Sequence, residues 1–258
     1  MQHLLYVFGI TDCDIGAVLP MEQGTYCINI GRVFALVTQV SATEFGEANI
    51  QQNLENPAWL AEKVHKHEQV LQFAMYITTV IPLKFGTVFQ HTDSLINTLS
   101  PLQSQFTNQL TALRGKKEWG LKIYTRRDLL AQVAEKQPAI AQIQAEIDIA
   151  NAGKAFLLKK KKQQLLHDAM LEEGIAVGKW VLYRVKNTAW HFQQGKLLSK
   201  HAHGKEAELL LNLSVLVPVA EEAAFFEWAE ALDGQLREKG AFSEQNGPWP
   251  PYHFTDLT

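Results

Sequence analysis

Nine histidines are the side chains best able to do chemistry in this 258-residue chain, and their spacing decides what they can hold. His65 and His67 stand two apart in a stretch of helical periodicity, so they point to different sides. Glu68 is followed by Leu71 where the zinc-protease pattern needs a second histidine. His67 falls on the apolar stripe of that stretch and reads as a hydrogen-bonded, partly buried imidazole. His201 and His203 share a strand face if their segment is extended, with His191 across a hairpin. Three imidazoles so arranged suit a transition metal, although a surface loop is the plainer reading. The run Gly174-Ile175-Ala176-Val177-Gly178-Lys179-Trp180 imitates a phosphate loop but has three spacers instead of four, and a tryptophan where a metal-binding hydroxyl belongs. It reads better as the junction within a helical hairpin. No Gly-x-Ser-x-Gly elbow occurs, and neither cysteine, Cys13 or Cys27, sits in a reactive signature. The expectation is no catalytic residue, no cofactor and no metal site. Lys159, Lys160, Lys161 and Lys162 form the one basic cluster. Consecutive lysines point around most of a helix, so the plain reading is a solvated face and the functional one a contact with an acidic protein surface.

Composition narrows the classes further. A formal charge of −3 lacks the basic excess of a nucleic-acid binder, and 47% apolar with 20% charged residues fits a folded domain. The acidic charge concentrates late, with two basic and eight acidic side chains over 218–258. The longest apolar stretch, Val70 to Phe89, is broken by Pro82 and Lys84, and Met1-Gln2-His3 carries no basic leader, so neither a membrane span nor a signal peptide is expected. Two cysteines are too few for a disulfide framework, and free thiols in a reducing, intracellular setting are the expectation.

The elements that would position these residues follow from periodicity. Leu4 to Phe8 is a short apolar run stopped by Gly9, and Cys27 to Val40 reads as two strands broken at Gly31-Arg32. After Asn56-Pro57, Leu60, Val64, His67, Leu71 and Ala74 mark one helix face; Leu95, Leu99, Leu102, Phe106, Leu110 and Leu113 mark another, with a kink or restart at Ser100-Pro101 and a stop at Gly115. Beyond Gly115 the pattern is a strand at Glu118–Tyr124, helix from Asp128 to about Lys186, strands around Trp190 and from Leu209 to Val217, a helix through Phe225, Ala229, Leu232 and Leu236, and a short run near Ala241. That order, βαββαβ, is the ferredoxin-like split βαβ. The predicted fold is α+β with two domains: 1–115; a ferredoxin-like 116–244 carrying an inserted helical hairpin at about 137–173; and a Pro/aromatic tail, 245–258, packing on them. Three prolines and three aromatic rings in Asn246–Phe254 predict an extended strap whose rings, Trp249 and Tyr252 foremost, fill pockets.

Four stretches together resemble the gas vesicle protein F/L family, the F branch most of all. They are PLKFGTVF at 82–89, EWGLKIY at 118–124, the small-Gly-basic-Ala-aromatic-Leu run at 152–157, and NGPWPPYHF at 246–254, the most specific of the four. The motif positions are Pro82, Leu83, Phe85, Gly86, Thr87, Val88 and Phe89; Glu118, Trp119 and Gly120; Gly153, Ala155 and Leu157; and Gly247, Pro248, Trp249, Pro250, Pro251, Tyr252 and Phe254. Lys84 stands where the pattern has arginine, Phe156 where it has tyrosine, Asn246 for threonine and His253 for a small polar residue; Lys84 keeps the charge but loses the bidentate fork. The glycines have structural readings too: a bulge or close approach at Gly86 and Gly120, and close helix packing at Gly153.

The resemblance implies a non-catalytic minor component or assembly factor of the gas vesicle, a protein-walled, lipid-free organelle. Its implied partner is the major hydrophobic shell protein, and other gas vesicle proteins besides, with no nucleic acid, membrane or cofactor. It would limit aggregation of the shell protein or aid nucleation. Its expected place is the shell, with a lean to the gas-facing side, after a cytoplasmic stage. The rivals are a small-molecule- or metal-binding ferredoxin-like enzyme built on the 191–203 histidines, and a transient chaperone that never stays on the vesicle.

Overall fold

The computed structural model describes residues 3–18, 24–197 and 207–255. Its first strand, β1 (His3–Thr11), is buried along nearly its whole length, which is why the run reads as continuously apolar rather than alternating. It lies inside an antiparallel sheet with β3 (Phe34–Ser41) on one side, itself flanked by β2 (Thr25–Asn29), and with β4 (Val80–Pro82) and β5 (Val88–Phe89) on the other. The pairing with β3 slips between Val7 and Gly9. There a Cβ on Gly9 would lie 2.6 Å from the Ile81 carbonyl oxygen, so only glycine lets β4 come this close.

Helices α1 (Ala42–Phe45), α2 (Glu47–Leu54) and α3 (Pro57–Ile77) follow β3. Asn56 caps α3 by accepting from the Ala58 and Trp59 N–H groups, with Pro57 at the first helical position, as the dipeptide predicts. Its inner face carries His67, Val70, Leu71 and Ala74 into a core with Leu4, Tyr6, Phe8 and Phe45. Helices α4 (Thr92–Leu99) and α5 (Gln103–Leu113) are separated by a 3-10 turn at Ser100–Leu102. Leu95, Leu99, Phe106, Leu110 and Leu113 are buried as their spacing predicts, while Leu102, in the turn, is exposed. Gly115 ends this segment at φ +69°.

Next come β6 (Lys116–Thr125), α6 (Arg127–Ala134), α7 (Pro138–Asp148), α8 (Ala152–Lys186), β7 (His191–Gln194), β8 (Glu208–Pro218), α9 (Glu222–Arg237) and β9 (Ala241–Trp249). The strands form a second sheet in the order β7-β8-β6-β9. Its core joins Leu121 and Ile123, the alternate residues Leu211 to Val217, Val177, Val181 and Val185 of α8, and Phe225, Leu232 and Leu236 of α9. The first half of α8 packs instead on α6 and α7 through Ala169, with Ala134 and Ile140.

By chain contacts the protein divides into two compact units, 1–118 together with 248–258, and 119–247. Three local expectations change. Gly174 to Gly178 is no hairpin junction but lies inside α8: the second arm of the hairpin and the helix covering the sheet are one 35-residue helix. Nothing stops it there, because a glycine inside a helix costs only about 1 kcal/mol, which burial of Val177 and Val181 offsets. Gly153 is exposed in the first turn of α8, behind the Asn151 cap, so it serves no close helix packing. The strand β9 continues to Trp249, and its period-two burial puts Trp249 on the open face with Gln245 and Gly247, 40% exposed.

Candidate functional site

The first unit draws three polar-tipped residues from distant parts of the chain into an aromatic core. Tyr6 sits on the inner face of β1, His67 on the inner face of α3, and Tyr252 in a 3-10 turn (Tyr252–Phe254) begun by the buried Pro250-Pro251. The Tyr6 hydroxyl lies 2.8 Å from His67 Nδ1, and the Tyr252 hydroxyl 2.9 Å from His67 Nε2. Counting donors orients the whole chain. The Tyr252 hydroxyl donates its one proton to Glu68 Oε1 at 2.9 Å, so it accepts from His67 Nε2–H. His67 Nδ1 must then accept from the Tyr6 hydroxyl, whose oxygen takes the Gly86 N–H at 3.2 Å. Five residues are thereby linked in one direction, with a neutral imidazole protonated on Nε2.

The electrostatics follow from burial. His67 is 1% exposed, and desolvation pushes its pKa down to about 4, which keeps the ring neutral in the folded protein. Burial pushes both tyrosine hydroxyls up, and raises Glu68, whose Oε2 has no partner among the described residues. Gly86, at φ +85°, holds the turn after Phe85 in the conformation that aims its N–H at Tyr6. Thr87 closes the same turn by donating its hydroxyl to the Lys84 carbonyl at 2.7 Å.

A second clasp holds the tail one residue on. Glu118 is 2% exposed and accepts from the His253 backbone N–H at 3.2 Å and from its Nδ1 at 2.6 Å. The hydrogen bond to that carboxylate raises the His253 pKa against the opposing cost of its partial burial.

Beside Tyr6 and His67 opens a cleft of about 180 Å³ between the end of β3, α1 and α3. Its apolar lining is Tyr6, Phe8, Val40 and Phe45; Thr38, Gln39 and Ser41 line one side, and Glu44, Lys63 and Lys66 the other. Lys63 pairs with Glu44 at 3.4 Å and Glu62 at 3.2 Å, whereas no ion pair holds the exposed Lys66 among the described residues. Small-molecule sites usually run from about 300 Å³ upward, so the cleft is sized for a single side chain rather than a nucleotide or cofactor. It is also poorly equipped for turnover, since both nitrogens of the one imidazole at its floor are engaged. Burial pushes the Cys27 thiol up to about 11, far from a reactive thiolate.

The motif residues separate into two sets. Phe85, Gly86, Glu118, Pro250, Pro251 and Tyr252 belong to the first unit, as do Pro82, Thr87, Phe89, Pro248 and Phe254. Pro82 faces Gly9, and Phe89 faces Leu5, across the sheet. In the second unit Trp119 donates its indole N–H to Glu222 at 3.1 Å, and Gly120 leaves room for the Asn246 side chain. Gly153, Leu157 and Lys159 to Lys162 are far along the chain on α8; Lys160 lies over the Phe156 ring at 5.0 Å, and Lys162 donates to Gln144 at 2.7 Å. Of the tail rings, Tyr252 docks and Trp249 stays on the open face of β9. His191 is exposed on β7, and His201 and His203 lie outside the described residues; among those described, no three metal-binding side chains converge. The sequence reading did not find Tyr6, Glu68, Lys63 or Lys66. For Tyr6 a signal existed, a single hydroxyl inside the apolar run Leu4–Phe8.

Comparison with known proteins brings the chain to one family. A family model described as gas vesicle synthesis protein GvpL/GvpF covers residues 4–256. Gas vesicle protein L of Streptomyces sp. (strain CB03234) is 26% identical over 264 residues, covering 99% of this chain and 94% of that protein. Gas vesicle protein F of Microcystis aeruginosa (strain PCC 7806) is 26% identical over 197 residues, 74% of this chain and 76% of that protein. The crystal structure of GvpF from Anabaena sp. PCC7120 superposes with a TM-score of 0.71 at 18% identity, over 99% of each chain. That of GvpF from Microcystis aeruginosa gives 0.67 at 21%, over 98% of this chain and 99% of that one.

Proposed function

Because the chain belongs to the gas vesicle synthesis protein GvpL/GvpF family, we propose that it is a non-catalytic gas vesicle component that binds the major hydrophobic shell protein. In this reading it holds the shell protein in solution or helps it nucleate. The observation that carries the reading is the cleft of the first unit, an aromatic floor of one-side-chain volume with a lysine at its rim. Such a site takes an apolar anchor residue with a carboxylate nearby from a polypeptide partner. The tail clasp stiffens the floor of the cleft, because Tyr252 fixes the ring of His67 from behind. The second unit, in its strand order β7-β8-β6-β9, is read as a ferredoxin-like scaffold whose crossover carries the α7–α8 hairpin.

The test is binding of purified protein to shell protein, followed by flotation of vesicles with and without a urea wash. Retention through the wash supports a resident component; recovery only from the cytosolic fraction makes it a transient chaperone. A resident on the gas-facing side, where an apolar-anchored component is held without exchange, becomes protease-accessible only after the shell is collapsed. Failure to bind shell protein, with vesicles intact after deletion, refutes the proposal.

A further inference from the structure

The outward face of α8 carries a seam that the first unit's cleft does not explain. Leu157, Lys161, Gln164, Asp168, Leu171 and Ile175 follow one another at steps of four, three, four, three and four, which is the spacing of a two-helix seam. They lie opposite the face packed on α6 and α7. Leu157, Leu171 and Ile175 are 67%, 56% and 58% exposed, large apolar side chains left in water along about 27 Å of helix.

The geometry points to a second copy of this chain as the occupant, its α8 antiparallel to the first. The pattern is self-complementary only in that direction. With the two-fold axis at position 166, Leu157 of each copy meets Ile175 of the other, and Leu171 covers the aliphatic stem of Lys161; at the centre the Gln164–Asp168 pair, joined within each helix at 2.9 Å, faces the same pair of the other copy, and exchange of those hydrogen bonds between copies fixes register. Charge demands the same polarity. Lysines occupy 159–162, and carboxylates 168, 172 and 173; antiparallel pairing sets this basic cluster beside the other copy's acidic segment, and parallel pairing sets like beside like. Lys161 then lies between Asp168 and Glu172 of the other copy. With apolar contacts only at the two ends, the dimer is concentration-dependent and weakened by salt.

Sedimentation equilibrium of the full chain over a range of concentrations tests this directly. The wild type follows a monomer–dimer equilibrium that shifts to monomer at high salt. Leu157→Glu with Ile175→Glu, both at exposed positions, weakens it roughly tenfold or more with the circular dichroism unchanged. Lys161→Glu also weakens it, and adding Glu172→Lys restores it. In a Cys13→Ser background, Gln164→Cys with Asp168→Cys forms a disulfide between copies, joining 164 to 168. A chain that stays monomeric throughout, a dimer indifferent to these changes, or a seam that cross-links only to shell protein overturns the proposal.

Discussion

Around His67 the protein turns its polar atoms inward, while along α8 it leaves apolar side chains outside. In the first unit two tyrosines, a histidine and a glutamate lie in an aromatic core, nearly every donor and acceptor consumed by another. On α8 three large apolar residues stand in water between lysines and carboxylates. The first arrangement ties these residues to one fold, since removing any of its buried polar groups leaves another without its partner. The second costs the fold little to alter, since Leu157, Leu171 and Ile175 are each more than half exposed. Changes near His67 should therefore be felt as stability, and changes on the outer face of α8 as association.

The largest expected effect is from His67→Leu, which leaves the hydroxyls of Tyr6 and Tyr252 without the imidazole they share. It should destabilise the first unit by about 3 kcal/mol, read as lost hydrogen-exchange protection in α3 and β1. Tyr252→Phe keeps the ring and removes the two links to His67 and Glu68, at about 2 kcal/mol, and should release the tail to proteolysis. If either is neutral, the network is not what holds the tail.

Acidification separates the two clasps. The folded pKa of His67, about 4, lies below its unfolded value of about 6.5, so between these limits only the unfolded state takes up the proton. Stability from His67 is thus lost as pH falls from about 6.5 to about 4, a change on the order of 3 kcal/mol. Glu68, raised by burial, works the other way as it protonates, so the measurement is the difference between wild type and His67→Gln across that range. His253 has the opposite sign to His67. Its raised pKa gives stability present below about pH 6.5 and lost as pH rises through the folded value. His253→Asn should flatten that alkaline side. The smallest effect is expected on α8, where Leu171→Glu should change stability by under about 0.5 kcal/mol; a larger loss would mean that the face has an intramolecular role.

Periodicity made the framework legible: the α3 stripe with its Asn56-Pro57 start, the alternating Leu209 to Val217, and the α9 face at Phe225, Ala229, Leu232 and Leu236 are all where their spacing puts them. Only packing partners tell what two similar signals mean. Gly153 and Gly120 look alike in sequence, yet the first sits exposed in a helix turn and the second gives way to the Asn246 side chain. Trp249 and Tyr252 both promised to fill pockets; Trp249, the last residue of β9, is 40% exposed, while the 3-10 turn after Pro251 carries Tyr252 to the core. The cleft was illegible because Tyr6, Phe45 and Lys66 are brought together by a β-strand and two helices, and no local spacing records that meeting. His67 was readable as a buried, hydrogen-bonded ring, but its tyrosine partners lie 61 and 185 residues away.

The most direct test of the account is equilibrium binding of shell protein to the wild type and to Gln39→Trp with Lys66→Glu. These two exposed positions on the cleft rim lie outside the hydrogen-bonded network. The account predicts loss of roughly tenfold or more in affinity, with folding intact and with the Leu157→Glu, Ile175→Glu variant binding as the wild type does. Undiminished binding by the cleft variant would contradict it.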